Sequence, residues 1–414
     1  MRRIIASVDL GSENIKLIVG EVKHEKINVL ASVIEKSKGI KNGCIVNTDD
    51  LTISLNKAFK KVDTQLGVKV KKAIVSIPAI DIEYVVGEGN NTITNPDYII
   101  KTSDIIRVLQ SSVYNKIPKN KELVNLIPVY YTINENEKTL KPKNMHAKKL
   151  GVKSIITLTQ KKMVYDIIKV FSNISVEVVD ISLGNIGDYE IIKNDEIDKK
   201  VGVIINLGDQ TTTISAFNKG VVTNSQIINL GSSNIDNDIS FIYKVTKSQA
   251  KDLKENLSLG HRRMASANIY ETLTNRLGEK IKINQYELTE IVVSRLEEIL
   301  NIAKKQINLL TKHEISYIIF TGGSTNLEDI NLLFEEIFGK NIKICKIDTI
   351  GVRNNVYSSA LGLIKYFNKK LNLREKEFSI FNTEEVEELS TEPRKVNISS
   401  DSVLGKIFGY FFDN

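Results

Sequence analysis

Short apolar runs and helix-like stripes alternate along the first part of the chain. Residues 4–10, 15–21 and 26–35 are rich in Ile and Val and are separated by polar turn residues, so we predict three consecutive strands. Over residues 51–66 the large apolar side chains recur every three or four positions, which indicates a helix, and 72–77 is again strand-like. A strand hairpin followed by a helix and a strand is typical of an α/β half-domain.

The same order of elements returns in the second part of the chain. Residues 201–230 predict a hairpin, 315–320 a strand, 326–338 a helix and 341–347 a further strand, and a helix over 358–367 closes the folded part. We therefore predict two halves that are built on one plan.

Each half contains an insertion whose pattern of apolar and polar residues differs from that of the half around it. Residues 86–159 predict a helix over 103–114 and strands over 123–134 and 151–159, which together make a small α+β module. Residues 234–309 predict mainly helices.

The chain ends in two segments unlike the rest. Residues 374–399 are rich in Glu with interspersed Lys and Arg, which predicts a mobile linker. Residues 400–414 predict a short amphipathic helix. Its apolar face consists of Val403, Leu404, Ile407, Phe408, Phe411 and Phe412. Such a face is buried either in the headgroup region of a bilayer, which we favour, or on the protein's own surface.

Composition and charge narrow the classes of function. The 57 Lys and Arg give a net charge of +7 but are spread along the chain without a dense basic run, so nucleic-acid binding is not indicated. Cys44 and Cys345 form no paired motif, and the four His show no metal-ligand spacing. No apolar stretch reaches the ~18 residues of a spanning helix, so we expect a reduced, cytoplasmic protein.

One short pattern occurs in both halves. Residues 8–20 and 204–217 each predict a strand, a tight turn with Gly and small polar residues, and a second strand. Such a turn exposes several backbone N–H groups, which bind anions, so two copies predict a phosphate chain held between the halves. The candidate residues are Asp9, Gly11, Ser12, Glu13, Asn14 and Lys16 in the first copy, and Asn206, Gly208, Asp209, Gln210 and Thr211 in the second. Either copy by itself would be an ordinary hairpin.

A third Gly-rich turn supports this prediction. Residues 315–320 lead into 321–326, and the chain then continues as a predicted helix. Glycine has no Cβ, so this turn lets a flat ring or a phosphate approach the backbone. Its candidate ligand-binding residues are Gly322, Gly323, Ser324 and Asn326. An ordinary strand-to-helix connection is the alternative.

Taken together, these motifs resemble the FtsA family of bacterial cell-division proteins, within the actin, Hsp70 and sugar-kinase superfamily. The turns are similar to the two phosphate motifs and the adenosine motif of that superfamily, and Gly187–Glu190 and Tyr357–Leu363 resemble its hinge helices. Three further stretches are more specific to FtsA. They are Ile127–Asn134 with Asn144–His146, Asn229–Ile239, and Arg295–Leu300.

The resemblance implies an actin-like (ribonuclease H-like) two-half α/β fold with a small α+β insertion in the first half and a helical insertion in the second. The first half would comprise 1–85, 160–198 and 350–373, and the second half 199–233 and 310–349. The inserted subdomain would be 86–159, the helical subdomain 234–309, the linker 374–399, and the membrane-targeting helix 400–414.

The resemblance also implies a ligand and partners. ATP would lie between the halves with Lys254 beside it, and Mg²⁺ would reach it through Asp9 and Asp209. The expected partners are FtsZ, other copies of this chain, lipids on the inner face of the cytoplasmic membrane, and later division proteins at the septum. An actin-like scaffold of a pilus or secretion machine, or a sugar-kinase-type phosphotransferase, is the alternative.

Several residues depart from the superfamily's usual pattern, and among them Pro78-Ala79 replaces a common Gly. Asn206 stands where Asp is usual, and Asp209 and Gln210 replace two Gly. Lys251 stands where Glu is usual. The lost carboxylate at 206 normally assists Mg²⁺ and the attacking water, so we expect ATP binding with weak or absent hydrolysis, and faster hydrolysis in an Asn206→Asp variant.

Overall fold

The computed structural model describes residues 2–380. The predicted amphipathic helix over 400–414 and most of the predicted linker lie outside the described residues.

The first half is built around a sheet with the strand order β11-β6-β1-β2-β3. Its elements are β1 Arg2–Leu10, β2 Asn14–Lys23, β3 Lys26–Lys36, the short strands β4 Ile40–Lys41 and β5 Cys44–Ile45, α1 Thr48–Leu66 and β6 Lys72–Ile77. The antiparallel hairpin β1–β2 and the parallel pairing of β1 with β6 agree with the predicted half-domain.

The insertion after β6 forms its own sheet, with the strand order β7-β10-β8-β9 and one helix packed on it. Its elements are β7 Glu83–Thr92, α2 Thr102–Val113, β8 Lys121–Ile133, β9 Glu137–Thr139 and β10 Lys149–Gln160. The chain then returns to the first half through α3 Lys161–Asn173, β11 Glu177–Leu183 and α4 Gly184–Ile192.

The second half repeats the plan of the first, with the strand order β14-β13-β12-β17-β18. Its strands and helices are β12 Val201–Leu207, β13 Thr212–Asn218, β14 Val221–Ile228, α5 Ser232–Ile242, α6 Lys247–Asn256, β15 Tyr270–Thr274, β16 Lys280–Asn284, α7 Gln285–Leu310, β17 Tyr317–Thr321, α8 Ile330–Phe338 and β18 Ile342–Ile344. Helix α9 Ser358–Arg374 then returns the chain to the first half, where it packs on β1, β2 and β6. Strand β12 pairs antiparallel with β13 and parallel with β17, as β1 does with β2 and β6.

Three predicted elements differ from the structure. The predicted hairpin over 201–230 has a third strand, β14. The predicted helical insertion contains the β15–β16 hairpin, whose residues are mostly exposed. A short 3-10 turn, Gly323–Asn326, precedes the helix predicted over 326–338, which begins only at Ile330.

The predicted linker begins too early. Helix α9 continues to Arg374 rather than ending at residue 367, and the following residues stay on the first half. Ile380 donates its backbone N–H to the carbonyl oxygen of Ile4 at 3.0 Å, and the Phe378 ring packs edge-on against Phe367 at a centroid distance of 5.2 Å. Residues 375–380 are therefore part of the folded body.

Helices α4 and α9 cross where the two halves meet. The crossing is so close that a Cβ on Gly362 of α9 would overlap the backbone of Gly187 of α4, and a Cβ on Gly187 would overlap Ser359. Two glycines thus let the backbones of the connecting helices touch. This contact lies directly behind the cleft between the halves.

Candidate functional site

The two predicted phosphate turns adopt the same geometry. After β1, the Gly11 N–H donates to the carbonyl oxygen of Asn14 at 3.2 Å, and after β12 the Gly208 N–H donates to that of Thr211 at 3.0 Å. A Cβ on Gly11 or on Gly208 would lie 2.6 or 2.7 Å from that same carbonyl oxygen. Only glycine fits so close an approach, so the sequence repeat is a repeat of structure as well.

Two cavities adjoin at these turns, and both take their walls from the two halves. The inner cavity has about 670 Å³ of empty space. The candidate residues that line it are Asp9, Gly11, Ser12, Asn206, Gly208, Asp209, Gln210 and Thr211. The outer cavity has about 1000 Å³. Its candidate residues are Glu13, Asn14, Gly208, Asp209, Lys254, Gly323, Ser324 and Asn326. Gly208 and Asp209 belong to both cavities, so the two form one continuous cleft.

Two predicted residues do not line the cleft. Lys16 pairs with Asp9 at 2.9 Å and neutralises it. Gly322, with φ +90°, backs the strand β12, because a Cβ there would lie 2.5 Å from the carbonyl oxygen of Leu207. Both residues shape the cleft from behind.

The surroundings of Asp209 disfavour the charged form of its carboxyl group. Burial, with the like charges of Glu13 and Asp236, raises the pKa of Asp209 to about 6, and Lys254 and Lys251 oppose the shift. This carboxyl therefore changes charge close to neutral pH.

Two lysines on α6 face the outer cavity, but their partners differ. The buried Lys254 contacts Asp236 and Ser232, both at 2.5 Å, which holds it against the start of α5. Lys251 crosses the cleft and pairs with Glu13 of the β1–β2 turn at 2.6 Å. Sequence reasoning noted that Lys251 was unusual but could not see this bridge between the halves.

Asp188 on α4 is the site residue that sequence reasoning missed. It lines the inner cavity, is almost fully buried, and accepts hydrogen bonds from side chains of α9, β12 and β17. The signal in the sequence was its place in Gly187–Glu190, the stretch that resembles a hinge helix. Its hydrogen-bond partners are distant in sequence, so the contacts themselves could not be predicted.

The cleft fits a nucleotide. Its lining mixes polar and apolar side chains, the paired glycine turns from the two halves face it, and Lys254 adds a cation. Of the two carboxyl groups predicted to reach Mg²⁺, Asp9 is already bound by Lys16 and Ser76, whereas Asp209 lines both cavities. Within residues 2–380 no three Asp, Glu, His or Cys side chains are grouped as metal ligands.

Comparison with solved structures agrees with this architecture. MreB5 of Spiroplasma citri bound to ADP superposes with a TM-score of 0.57 at 13% identity, covering 90% of this chain and 99% of that one. The PilM–PilN type IV pilus biogenesis complex superposes with a TM-score of 0.56 at 11% sequence identity. The match covers 87% of this chain and 97% of that one. The fold and cleft therefore define an actin-like protein of two halves.

Comparisons with protein families and with individual relatives identify the family of this chain. The model of cell division protein FtsA matches residues 203–362, and that of the SHS2 domain inserted in FtsA matches residues 80–158, together more than half of the chain. The cell division protein FtsA of Bacillus subtilis is 26% identical over 368 residues, covering 88% of this chain and 83% of that protein. The cell division protein FtsA of Pseudomonas aeruginosa is 24% identical over 377 residues, covering 88% of this chain and 89% of that protein. The chain belongs to the FtsA family of cell-division proteins.

The family assignment confirms the predicted fold class and the inserted subdomain. Among residues 2–380, no helix combines the length and the apolar character needed to cross a bilayer.

Proposed function

We propose that this protein binds ATP in the cleft, polymerises, and anchors FtsZ filaments to the inner face of the cytoplasmic membrane at the septum. The C-terminal segment with Phe408, Phe411 and Phe412 would lie in the membrane surface as a peripheral anchor. The SHS2 insertion would contact neighbouring copies of the chain and recruit later division proteins. Hydrolysis would be slow, and ATP would act mainly by favouring one closed state.

The observation that carries the nucleotide proposal is the pair of identical turns facing one cleft. Two backbone nests from different halves can hold one phosphate chain only when the halves are close together, so a bound nucleotide would stabilise that arrangement. Structures of MreB5, which shares the fold, contain ADP or AMPPNP.

An exposed groove on the helical subdomain supports the FtsZ proposal. It lies between α5 and α7 and has about 780 Å³ of empty space. Its apolar surface comes from Phe241, Ile242 and Ile291, and charged side chains of both helices also line it. Phe241 on α5 is 83% exposed at this groove, and Ile242 is 52% exposed. Arg295 on α7 is held by Asp238 at 2.6 Å. Arg295 also pairs with Glu298, and the groove is lined by the carboxylates of Asp238, Glu290 and Glu298, so its charge is net negative. Apolar anchors among these carboxylates are suited to a short peptide with apolar and basic side chains.

The groove can be tested by peptide binding. We expect a Phe241→Ala variant to bind a labelled FtsZ C-terminal peptide at least about tenfold more weakly in fluorescence anisotropy, because an aromatic side chain that the bound peptide would cover is lost. Leu309→Ala is the matched control, since Leu309 is 76% exposed on α7 but lies outside the groove. Equal affinities for the two variants would remove the groove from the proposal.

The membrane role can be tested by co-sedimentation with anionic liposomes, using the full chain and a version ending at Ser400, with and without Mg-ATP. We expect pelleting to require both the tail and ATP, because one short helix binds weakly while many on a polymer bind by avidity. FtsZ added to the full-length sample should then pellet with it. Pelleting without the tail would contradict the anchor, and pelleting without ATP would contradict the nucleotide switch.

A further inference from the structure

Asp188 ties four elements together at the base of the cleft. Ser358 and Ser359 of α9 donate to its Oδ1 at 2.6 and 3.0 Å. The Asn206 amide of β12 donates to Oδ2 at 2.7 Å, and the Thr321 hydroxyl of β17 at 3.2 Å. Since α4 and α9 belong to the first half and β12 and β17 to the second, one carboxylate bridges both halves.

This carboxylate is buried among neutral donors. It is 1% exposed, and burial raises its pKa, while the hydrogen bonds from Ser358 and Asn206 oppose the shift. The titratable groups that face it are Asp9 on β1, which Lys16 neutralises, and the Cys345 thiol after β18. The inner cavity therefore has at its base a carboxyl group from α4 that accepts four hydrogen bonds from neutral donors.

The contact with Asn206 constrains what position 206 can be. The Asn206 amide nitrogen, assigned as the donor from its hydrogen bond, points at the carboxylate, which leaves its oxygen on the side of Gly322. An Asp at 206 would put two carboxylates at hydrogen-bond distance in a buried place, where both cannot be ionised. This replaces the expectation that Asn206→Asp by itself would speed hydrolysis.

We propose that Asp188 is the positioning residue for the phosphate side of the cleft: it fixes residue 206 as an amide and fastens the second half to the helix crossing. Position 206 can then be a carboxylate only when position 188 is an amide. The part of this inference that concerns ligand affinity rests on the proposed binding of ATP. The part that concerns the pair itself does not.

A reciprocal exchange tests the pair without any ligand. Thermal unfolding of the full chain is measured at pH 6 and pH 8 for Asn206→Asp, Asp188→Asn and the double variant Asp188→Asn/Asn206→Asp. We expect Asn206→Asp to lower the melting temperature by roughly 5 °C at pH 8 and by less at pH 6, because a protonated carboxyl can again donate. The double variant should regain most of this loss.

A matched control separates this effect from the general cost of removing a buried carboxylate. Asp104 is 4% exposed and accepts the backbone N–H of Lys101 at 2.9 Å in the inserted subdomain, far from the cleft. We expect Asp104→Asn to lower stability equally at both pH values. A double variant no more stable than Asn206→Asp, or equal losses at pH 6 and pH 8, would overturn the proposal.

Binding of a fluorescent ATP analogue by the same proteins gives the functional readout. We expect about tenfold weaker binding by Asn206→Asp at pH 8, recovery to within about threefold in the double variant, and no change in Asp104→Asn. If the wild type binds no nucleotide, the proposed function fails while the unfolding experiment still decides the pair. If the wild type binds and the double variant shows no recovery of affinity, the positioning role fails and the proposed function stands.

Discussion

Asp209 is the residue whose charge depends most directly on pH within the cleft. With its pKa raised to about 6 by burial and by Glu13 and Asp236, it is largely neutral at pH 5 and charged at pH 7. A charged carboxylate beside phosphates is repulsive, so we predict that nucleotide affinity falls as pH rises through this range. In Asp209→Asn this fall should disappear, as measured by titration with a fluorescent ATP analogue without Mg²⁺.

The ligand's own titration is common to wild type and variant, so only the difference between them reports on Asp209. Glu255→Gln is the control, because Glu255 also lines the outer cavity but lies further along α6. The same shift affects stability in the same direction: the contribution of Asp209 is fully present below its ordinary pKa of 3.8 and is lost as pH rises through the folded-state value of about 6. A variant with the wild-type pH profile would contradict the assignment.

Individual site residues were predictable when their contacts are local. The hydrogen bonds that close the two phosphate turns span three residues each, so a short motif is enough to recognise them. Asp188 is different, because Thr321, Ser358 and Ser359 follow it by 133, 170 and 171 positions. Only the tertiary fold brings these donors together, and no local pattern contains that information.

At the scale of elements, the spacing of apolar residues predicted the long amphipathic helices and strands. It missed elements that are short or that bury polar side chains. The β15–β16 hairpin was missed although Ile281 and Ile283 alternate with lysines in β16, because each strand is only five residues long and most of its side chains are exposed. Helix α9 was predicted too short because its last turns carry polar side chains that are nevertheless buried. Lys370 there pairs with the buried Asp180 at 2.7 Å, and Asn368 accepts from Arg3 at 2.7 Å. Partners on other strands thus extend the helix beyond its apolar stripe.

The crossing of α4 and α9 gives a prediction about the hinge. A Cβ at Gly362 would overlap the backbone of Gly187, so Gly362→Ala must push the helices apart. We predict a loss of roughly 3 kcal/mol, seen as a melting temperature lower by about 6 °C or more. Gly184→Ala on α4 is the control, because its Cβ would meet nothing closer than 3.5 Å. Equal melting temperatures would show that the crossing adapts freely.

At the scale of the whole molecule, the two halves are joined at the base and at the mouth of the cleft. Asp188 connects them at the base, and the Glu13–Lys251 pair connects them at the mouth. A further contact between the halves, beside the inner cavity, is the hydrogen bond from the Asn42 backbone N–H to the Gln210 side chain at 2.8 Å. The Glu13–Lys251 pair lines the outer cavity and spans it from one half to the other.

This arrangement predicts that the mouth controls how fast nucleotide leaves. The Glu13 and Lys251 side chains are 27% and 33% exposed, so their ion pair contributes at most about 1 kcal/mol and is screened by salt. We predict that Glu13→Gln releases a fluorescent ATP analogue about two- to fivefold faster in stopped-flow displacement at low salt, and that high salt removes the difference. The charge-reversed double variant Glu13→Lys/Lys251→Glu should return to the wild-type rate, because attraction between the halves is restored.

Glu196→Gln, which breaks an exposed pair with Lys200 outside the cleft, should release at the wild-type rate throughout. If Glu13→Gln also releases at that rate, the hydrogen bond of Asn42 and the contacts of Asp188 suffice to hold the halves together, and the mouth pair is an ordinary surface contact.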